Sequence, residues 1–284
     1  MASTLEWGRD KNYNNTVSIT RGWCILLKVI IMTQQDRFFI PKNIQKIIDN
    51  SEVLEIVNVE CKSSLQNKLY DFIKWFGIFQ VGKMGMVIAI RSLAGKIDKL
   101  FGYKFFKGLC GVEHVAKKNN IKYKVIHDSN SEDFYKEVKE LNPDVILSFS
   151  APQVIKEPLL STPKYGILNV HGSLLPDYRG CLPSFWYSFN DEEYGGATVH
   201  YMSKKIDDGD IVVQDKVYIG DCKSMFELMK RTKKLGGKLM VKAIKDLENG
   251  KLERKPNIAS EGRYFTWPTE EQGKEFRAKG KRLI

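Results

Sequence analysis
The chain has 284 residues, with 45 Lys and Arg against 34 Asp and Glu, for a net charge of +11. Hydrophobic residues make up 43% and aromatic residues 11%, which describes a soluble globular protein, and the length allows one substantial core or a domain of ~200 residues with a small appendage. Five cysteines (Cys24, Cys61, Cys110, Cys181, Cys222), widely spaced and without a CxxC pair, argue against a disulfide framework and against a zinc knuckle.

Residues 1–23 are polar, carry Glu6 and Asp10, and read as an extension with no secretory signature. Ile25 to Thr33 is predicted as the first buried strand, too short to span a membrane, and Pro41 to Asn50 as a helix with proline in its first turn. Val53 to Cys61 is rich in β-branched residues and reads as a second strand, so Cys24 and Cys61 are expected as small core residues. Residues 65–108 form an insertion crowded with apolar side chains and broken by Lys74, Lys83 and Arg91. Its uncharged runs fall short of the ~20 residues of a spanning helix. A helix pair packed on the core or at a homodimer interface is the favoured reading, ahead of a membrane-surface patch. No integral membrane segment is expected, and the compartment is read as cytoplasmic.

Helix 112–119, strand Lys122 to Ile126 and an amphipathic helix capped by Ser131 follow. Asp144 to Phe149 and Gly166 to Val170 are short strands, Leu182 to Asn190 a helix, and Thr198 to Met202 and Ile211 to Tyr218 strands. A long helix, Met225 to Glu248, stops at Asn249-Gly250. Strands alternating with helices predict an α/β fold, a doubly wound and mostly parallel sheet. The expected organisation is an extension (1–23), a main domain (24–250, with the insertion) and a C-terminal arm (251–284). Lysine is scattered along the chain, so the positive charge is read first as compositional bias. The run Arg231-Thr232-Lys233-Lys234 is expected as a solvated helix face.

The most informative stretch is Asn169-Val170-His171-Gly172-Ser173-Leu174-Leu175-Pro176, followed by Ile206-Asp207-Asp208-Gly209. Side chains alternate along a strand, so Asn169 and His171 share one face at its C-terminal end, where ligands of open α/β sheets sit. Pro176 then turns the chain away. Each residue has an ordinary reading alone: a structural histidine, a turn-forming asparagine, an Asp-Gly turn. Together they place an amide, an imidazole and a carboxylate where they can converge on one carbon.

Asn-x-His-x-Ser-Leu-Leu-Pro, the Tyr-Arg-Gly turn after it, and Gly196 to Tyr201 leading to Asp207-Asp208-Gly209 resemble the signatures of the folate-dependent formyltransferases. That family includes enzymes acting on glycinamide ribonucleotide, methionyl-tRNA and amino sugars. The resemblance covers about Pro143 to Val217 and reaches in outline back to Leu26. It implies a Rossmann-like fold, 10-formyltetrahydrofolate as co-substrate, and a catalytic set of Asn169, His171 and Asp207. Asn169 would donate to the developing oxyanion. His171 would donate to the same oxygen or take a proton, and Asp207 would orient the imidazole or hold a relay water. The folate pocket implied by the family falls on Ala151, Pro152, Gln153, Val154, Ile155 and Leu168, closed on the other side by the Asp207 loop with Lys204 and Ile206. No metal is implied. Ser173 is expected to bond backbone in its turn, Arg179 to meet an anion or lie on the surface, and His200 to face away from the loop as a structural residue.

The acceptor is expected to be a small-molecule amine, a sugar- or nucleotide-linked amino group. The loop after the first strand, Met32 to Arg37, has no glycine-rich phosphate cradle, which weighs against glycinamide ribonucleotide. A methionyl-tRNA formyltransferase with a reduced C-terminal region is the alternative. The net charge favours it, and the stretch after Gly250, too short for the appended β-barrel of that group, opposes it. A non-catalytic folate- or RNA-binding module and a related carbamoyl, hydrolase or decarboxylase activity are the remaining alternatives.

Overall fold
The computed structural model describes residues 26–60, 65–105 and 111–284. Its strands are β1 (Lys28–Thr33), β2 (Glu52–Val59), β3 (Lys122–Ile126), β4 (Val145–Phe149), β5 (Ile167–His171), β6 (Arg179–Gly180), β7 (Tyr194–Tyr201), β8 (Ile211–Tyr218) and β9 (Tyr264–Phe265). Its helices are α1 (Ile40–Ile48), α2 (Leu65–Phe76), α3 (Ile78–Leu100), α4 (Val112–Lys118), α5 (Glu132–Leu141), α6 (Pro183–Phe189), α7 (Met225–Glu248) and α8 (Glu270–Ala278). Cys24, Cys61 and Cys110 lie outside the described residues. Cys181 and Cys222 are free and half-buried, and burial pushes both thiols up.

Seven strands form one sheet in the order β3-β2-β1-β4-β5-β7-β8. The pairings from β3 through β5 are parallel; β7 and β8 extend the sheet antiparallel. The apolar side chains of β1, β4 and β5 are all buried because both faces of these strands are covered. One face packs on α1, α4 and α7, with Ile44, Ile47, Met240 and Ile244 fully buried beside Leu147 and Leu168. The other packs on α5, through Phe134 and Val138 against Ile30, Ile146 and Ile167. The crossovers thus cover both sides of the sheet, as the alternating pattern predicts.

Local signals act as expected. The Ser131 hydroxyl accepts from the Phe134 amide at the start of α5, and Ser224 accepts from the Glu227 amide at the start of α7. Gly250 follows α7 with φ +65°.

The stretch expected as an insertion holds a pair of helices, α2 and α3. α2 joins a second core with α6 and α8: Phe76, Phe185 and Phe276 are buried together, with Trp75 at the edge. Phe185 and Phe276 stack with centroids 4.7 Å apart, and Phe76 meets Phe276 edge-on at 5.6 Å. α8 lies so close to α2 that a Cβ on Gly273 would sit 2.5 Å from the Trp75 Cα. Residues 251–284 therefore fold back on the body. β9 adds to β6, Trp267 stacks on Trp75 at 5.7 Å, and Thr269 and Gln272 form a reciprocal cap for α8.

Candidate active site
Asn169 and His171 stand at the C-terminal end of β5 on the face shared with Ile167, while Leu168 and Val170 turn to the α7 side. Beyond β5 the chain folds sharply. Ser173 Oγ donates to the Asp177 carbonyl at 2.9 Å, and the Leu175 amide donates to Thr198 Oγ1 at 3.1 Å. This turn brings the Tyr178 carbonyl within 2.9 Å of His171 Nε2. Tyr178 (φ +56°), Leu182 (φ +52°) and Asp207 (φ +50°) all hold left-handed backbone around His171. Such strain collects where the surrounding structure fixes a functional geometry.

Asp207 enters from the loop after β7. Its backbone carbonyl accepts from Asn257 Nδ2 at 2.9 Å, so the C-terminal arm pins the loop. Its carboxylate lies between two imidazoles, 3.5 Å from His171 Nδ1 and 3.6 Å from His200 Nε2. The Gly180 amide donates to Oδ2 at 2.9 Å. Burial pushes the Asp207 carboxyl up. The facing imidazoles in their protonated state and the Gly180 amide outweigh that and hold it well below the usual carboxylate range.

His171 is 8% exposed. Burial pushes its pKa down, the Asp207 carboxylate and the Tyr178 carbonyl pull it up, and the balance lies below the ordinary histidine value. The carbonyl partner assigns the proton of the neutral ring to Nε2, leaving Nδ1 as a base beside the carboxylate. Proton uptake at Nδ1 gives an imidazolium with an acceptor on each nitrogen, so the site takes a proton without rearranging.

His200 is not turned away from the loop. β5 and β7 run antiparallel with Asn169 directly opposite His200, so the two side chains share a face. His200 Nδ1 donates to the Tyr201 carbonyl at 2.9 Å, which leaves Nε2 to accept from Asn169 Nδ2 at 3.0 Å. This bond fixes which end of the amide is the donor and leaves a second N–H on the same nitrogen for another acceptor. If His200 acts by setting that amide, His200→Gln lowers kcat about tenfold, less than the ~10²–10³ for removal of an oxyanion donor. The double variant with Asn169→Ala should lose no more than Asn169→Ala alone. Additive losses in that cycle would contradict the coupling.

The loop after β4 divides its residues. Gln153 is spent on structure, accepting from Ser129 N and Oγ and donating to the Glu60 and His127 carbonyls. Ile155 is buried and Ala151 packs beside it in the core on the α5 side, Pro152 is half-buried, and Val154 is 44% exposed. Leu168 is fully buried on the opposite face of the sheet from Asn169, so its neighbour Ile167 supplies the apolar side chain on the Asn169 face. Across the site Lys204 is exposed and Ile206 is 46% exposed. Arg179 is neither free nor at the surface. Its Nη2 donates to the Ala259 carbonyl at 2.8 Å, and its Nη1 lies 4.0 Å from Asp208.

Lys233, read as part of a solvated face, is half-buried instead, and its ammonium donates to Ser150 Oγ at 2.7 Å. Burial pushes this lysine down, against a weaker upward pull from Asp36. It lines a narrow gap shared with Ile40, Phe149, His171 and Gly172, on the α1–α7 side of the strand ends. Nothing in sequence separates it from Lys234, which is exposed one residue on. Among the described residues no cluster of His, Cys, Asp and Glu could hold a metal ion.

A family model described as formyl transferase matches residues 89–244. The chain belongs to the formyl transferase family. Among curated relatives it is 34% identical over 163 residues to the methionyl-tRNA formyltransferase of Alkaliphilus oremlandii, covering 57% of this chain and 53% of that protein. The protein of the same name from Clostridioides difficile is 32% identical over 165 residues, covering 58% and 53%. The chain thus spans about half the length of the curated relatives it matches. Its fold is that of solved family members. An N-formyltransferase from Helicobacter canadensis, in complex with folinic acid and dTDP-3-aminofucose, superposes with a TM-score of 0.56 at 19% identity, covering 89% of this chain and 80% of that one. Phosphoribosylglycinamide formyltransferase from Anaplasma phagocytophilum gives 0.56 at 15%, covering 84% and 99%. The family match begins inside α3 and runs through most of α7, well beyond the two motifs that carry the resemblance in sequence.

Proposed function
We propose that the chain transfers the formyl group of 10-formyltetrahydrofolate to a primary amine. The observation that carries this reading is the convergence of Asn169, His171 and Asp207 at the end of β5 in a member of the formyl transferase family. The amine attacks the formyl carbon, a C–N bond forms, and negative charge develops on the formyl oxygen. The free N–H of Asn169 is the donor for that oxygen. The attacking nitrogen must shed a proton, and His171 Nδ1 takes it beside an ionised Asp207. Collapse then breaks the bond to the folate nitrogen, which leaves with a proton returned by the imidazolium. The residues present suit a flat, partly polar co-substrate: beside the polar Asn169, His171 and Asp207, Val154 and Ile206 leave apolar surface open on the two flanking loops.

Because the resting imidazole must be neutral to act as base, kcat/KM should fall on the acid side. With the His171 pKa lowered in the fold, the midpoint lies below the ordinary value of about 6.5. A midpoint above that value in the pH profile would contradict the assignment.

The acceptor we favour is an amino group on a nucleotide-linked sugar. Lys233, held by Ser150 next to His171 and Gly172, places a basic side chain beside the candidate site, suited to a phosphorylated small molecule. The sequence relatives, which are methionyl-tRNA formyltransferases, favour a second reading, methionyl-tRNA. Release of tetrahydrofolate in the presence of nucleotide-linked amino sugars, or of charged initiator tRNA, separates them. Turnover with sugars alone supports the first. Turnover with tRNA alone, with steep salt dependence, replaces it with the second.

A further inference from the structure
α3 carries an apolar stripe that the rest of the described chain leaves uncovered. Phe79, Met86, Ile90, Leu93, Ile97 and Leu100 recur at spacings of three, four and seven, which puts them on one side of a helix. Each is between 40% and 85% exposed. The opposite side is tied to the body at three levels. Gln80 Oε1 accepts from the Ile284 amide at 3.2 Å, Arg91 Nη1 donates to the Arg37 carbonyl at 2.7 Å, and buried Asp98 meets His114 Nε2 at 3.0 Å. The stripe therefore faces outward on a helix whose orientation is fixed.

The charges around it have one sign. Within 78–100 the ionised side chains are Lys83, Arg91, Lys96, Lys99 and Asp98. Asp98 is fully buried and Arg91 is turned to the body, so Lys83, Lys96 and Lys99 are the charges left at the surface. Lysines flanking an apolar stripe can lay their stems along it and keep the ammonium groups at its rim. Beyond the helix end, exposed Phe101 and Phe105 prolong the apolar surface.

We infer that α3 is a docking face for an anionic lipid surface, on which the helix lies in the plane of the membrane with its stripe in the headgroup–acyl boundary. By length and composition alone the helix is long and apolar enough to cross a bilayer. Its ties through Arg91 and Asp98 keep one side on the protein, and a spanning helix would need lipid or a protein partner around its full girth. A second copy of this chain is the less suitable cover. Pairing two α3 helices would bring lysines to a seam already rimmed by lysines, with no exposed carboxylate on either helix to offset them. Anionic headgroups supply that missing complement without requiring a matched surface.

The test is co-sedimentation of the full chain with vesicles of phosphatidylcholine alone and of phosphatidylcholine mixed with phosphatidylglycerol, beside sedimentation equilibrium without lipid. The chain should bind the mixed vesicles and not the neutral ones. Ile90→Ser with Leu93→Ser, which leaves net charge unchanged, should weaken binding at least about tenfold. Lys83→Gln with Lys96→Gln should reduce the preference for the mixed vesicles. Absence of binding overturns the inference. So does unchanged binding of the serine variant, which would assign the attraction to the general basic surface. A lipid-free dimer that the serine variant converts to monomer would make a second copy the occupant. These readouts are independent of turnover.

Discussion

His171→Ala is expected to lower kcat by about 10²–10⁴-fold, the range for loss of a positioned acid–base group. The fold should survive, because His171 contributes one imidazole at the edge of the core and its Tyr178 partner is a backbone carbonyl in a turn held independently by Ser173. Asp207→Asn tests the same device from its other side. The amide keeps the shape and can still accept from the Gly180 amide, yet it carries no charge to stabilise the imidazolium. Its kcat should fall within the same range. The two losses should be strongly sub-additive in the double variant, since both residues serve one proton. Single-turnover rates at fixed pH decide the matter. Retention of more than about a tenth of the wild-type rate in either variant would remove that residue from the chemistry.

The largest stability effect is expected from Phe276→Ala. This ring is fully buried, stacked on Phe185 and edge-on to Phe76, at the point where α8 seals against α2 and α6. Truncating a buried phenylalanine costs roughly 3–5 kcal/mol through lost transfer energy and the cavity left behind. Denaturant unfolding should show that loss. A second consequence reaches the candidate site. The same arm carries Asn257, which holds the Asp207 loop, and β9, which pairs with Arg179 and Gly180 beside the Asp207 carboxylate. Loosening α8 should therefore raise the hydrogen exchange of the 203–209 loop as well as lower global stability. A loss below about 1 kcal/mol, or unchanged exchange in that loop, would show that the arm is packed loosely.

The parts of the fold legible in sequence are those set by short-range rules. Ser131 caps its helix as its spacing to Phe134 requires, α7 runs from Met225 to Glu248, and apolar β-branched runs mark the central strands. Asn169 and His171 were legible for the same reason: period-two alternation puts both on one face, and Pro176 forces a turn just beyond. The misses needed information that no local pattern carries. His200 looked structural because its partner depends on sheet order. Only when β7 is laid antiparallel against β5 does it come opposite Asn169. Leu168 is the exception, since alternation from Asn169 already points to Ile167 as the side chain on that face. Lys233 and Lys234 are adjacent and chemically identical, and the packing of α7 alone makes one half-buried and the other solvated. The 65–108 insertion was readable as helices, but which of their apolar faces would be covered depends on α8, a segment some two hundred residues away in sequence.

Transfer of a formyl group by means of Asn169, His171 and Asp207 leaves a direct chemical trace in its product. The most direct measurement supplies 10-formyltetrahydrofolate labelled in the formyl carbon and follows the label into an N-formyl product, using a panel of nucleotide-linked amino sugars and charged initiator tRNA. The wild-type chain should transfer label to one acceptor class with matching release of tetrahydrofolate, and His171→Ala should not. Label that stays on folate, leaves as free formate, or transfers equally well in the alanine variant would contradict the account.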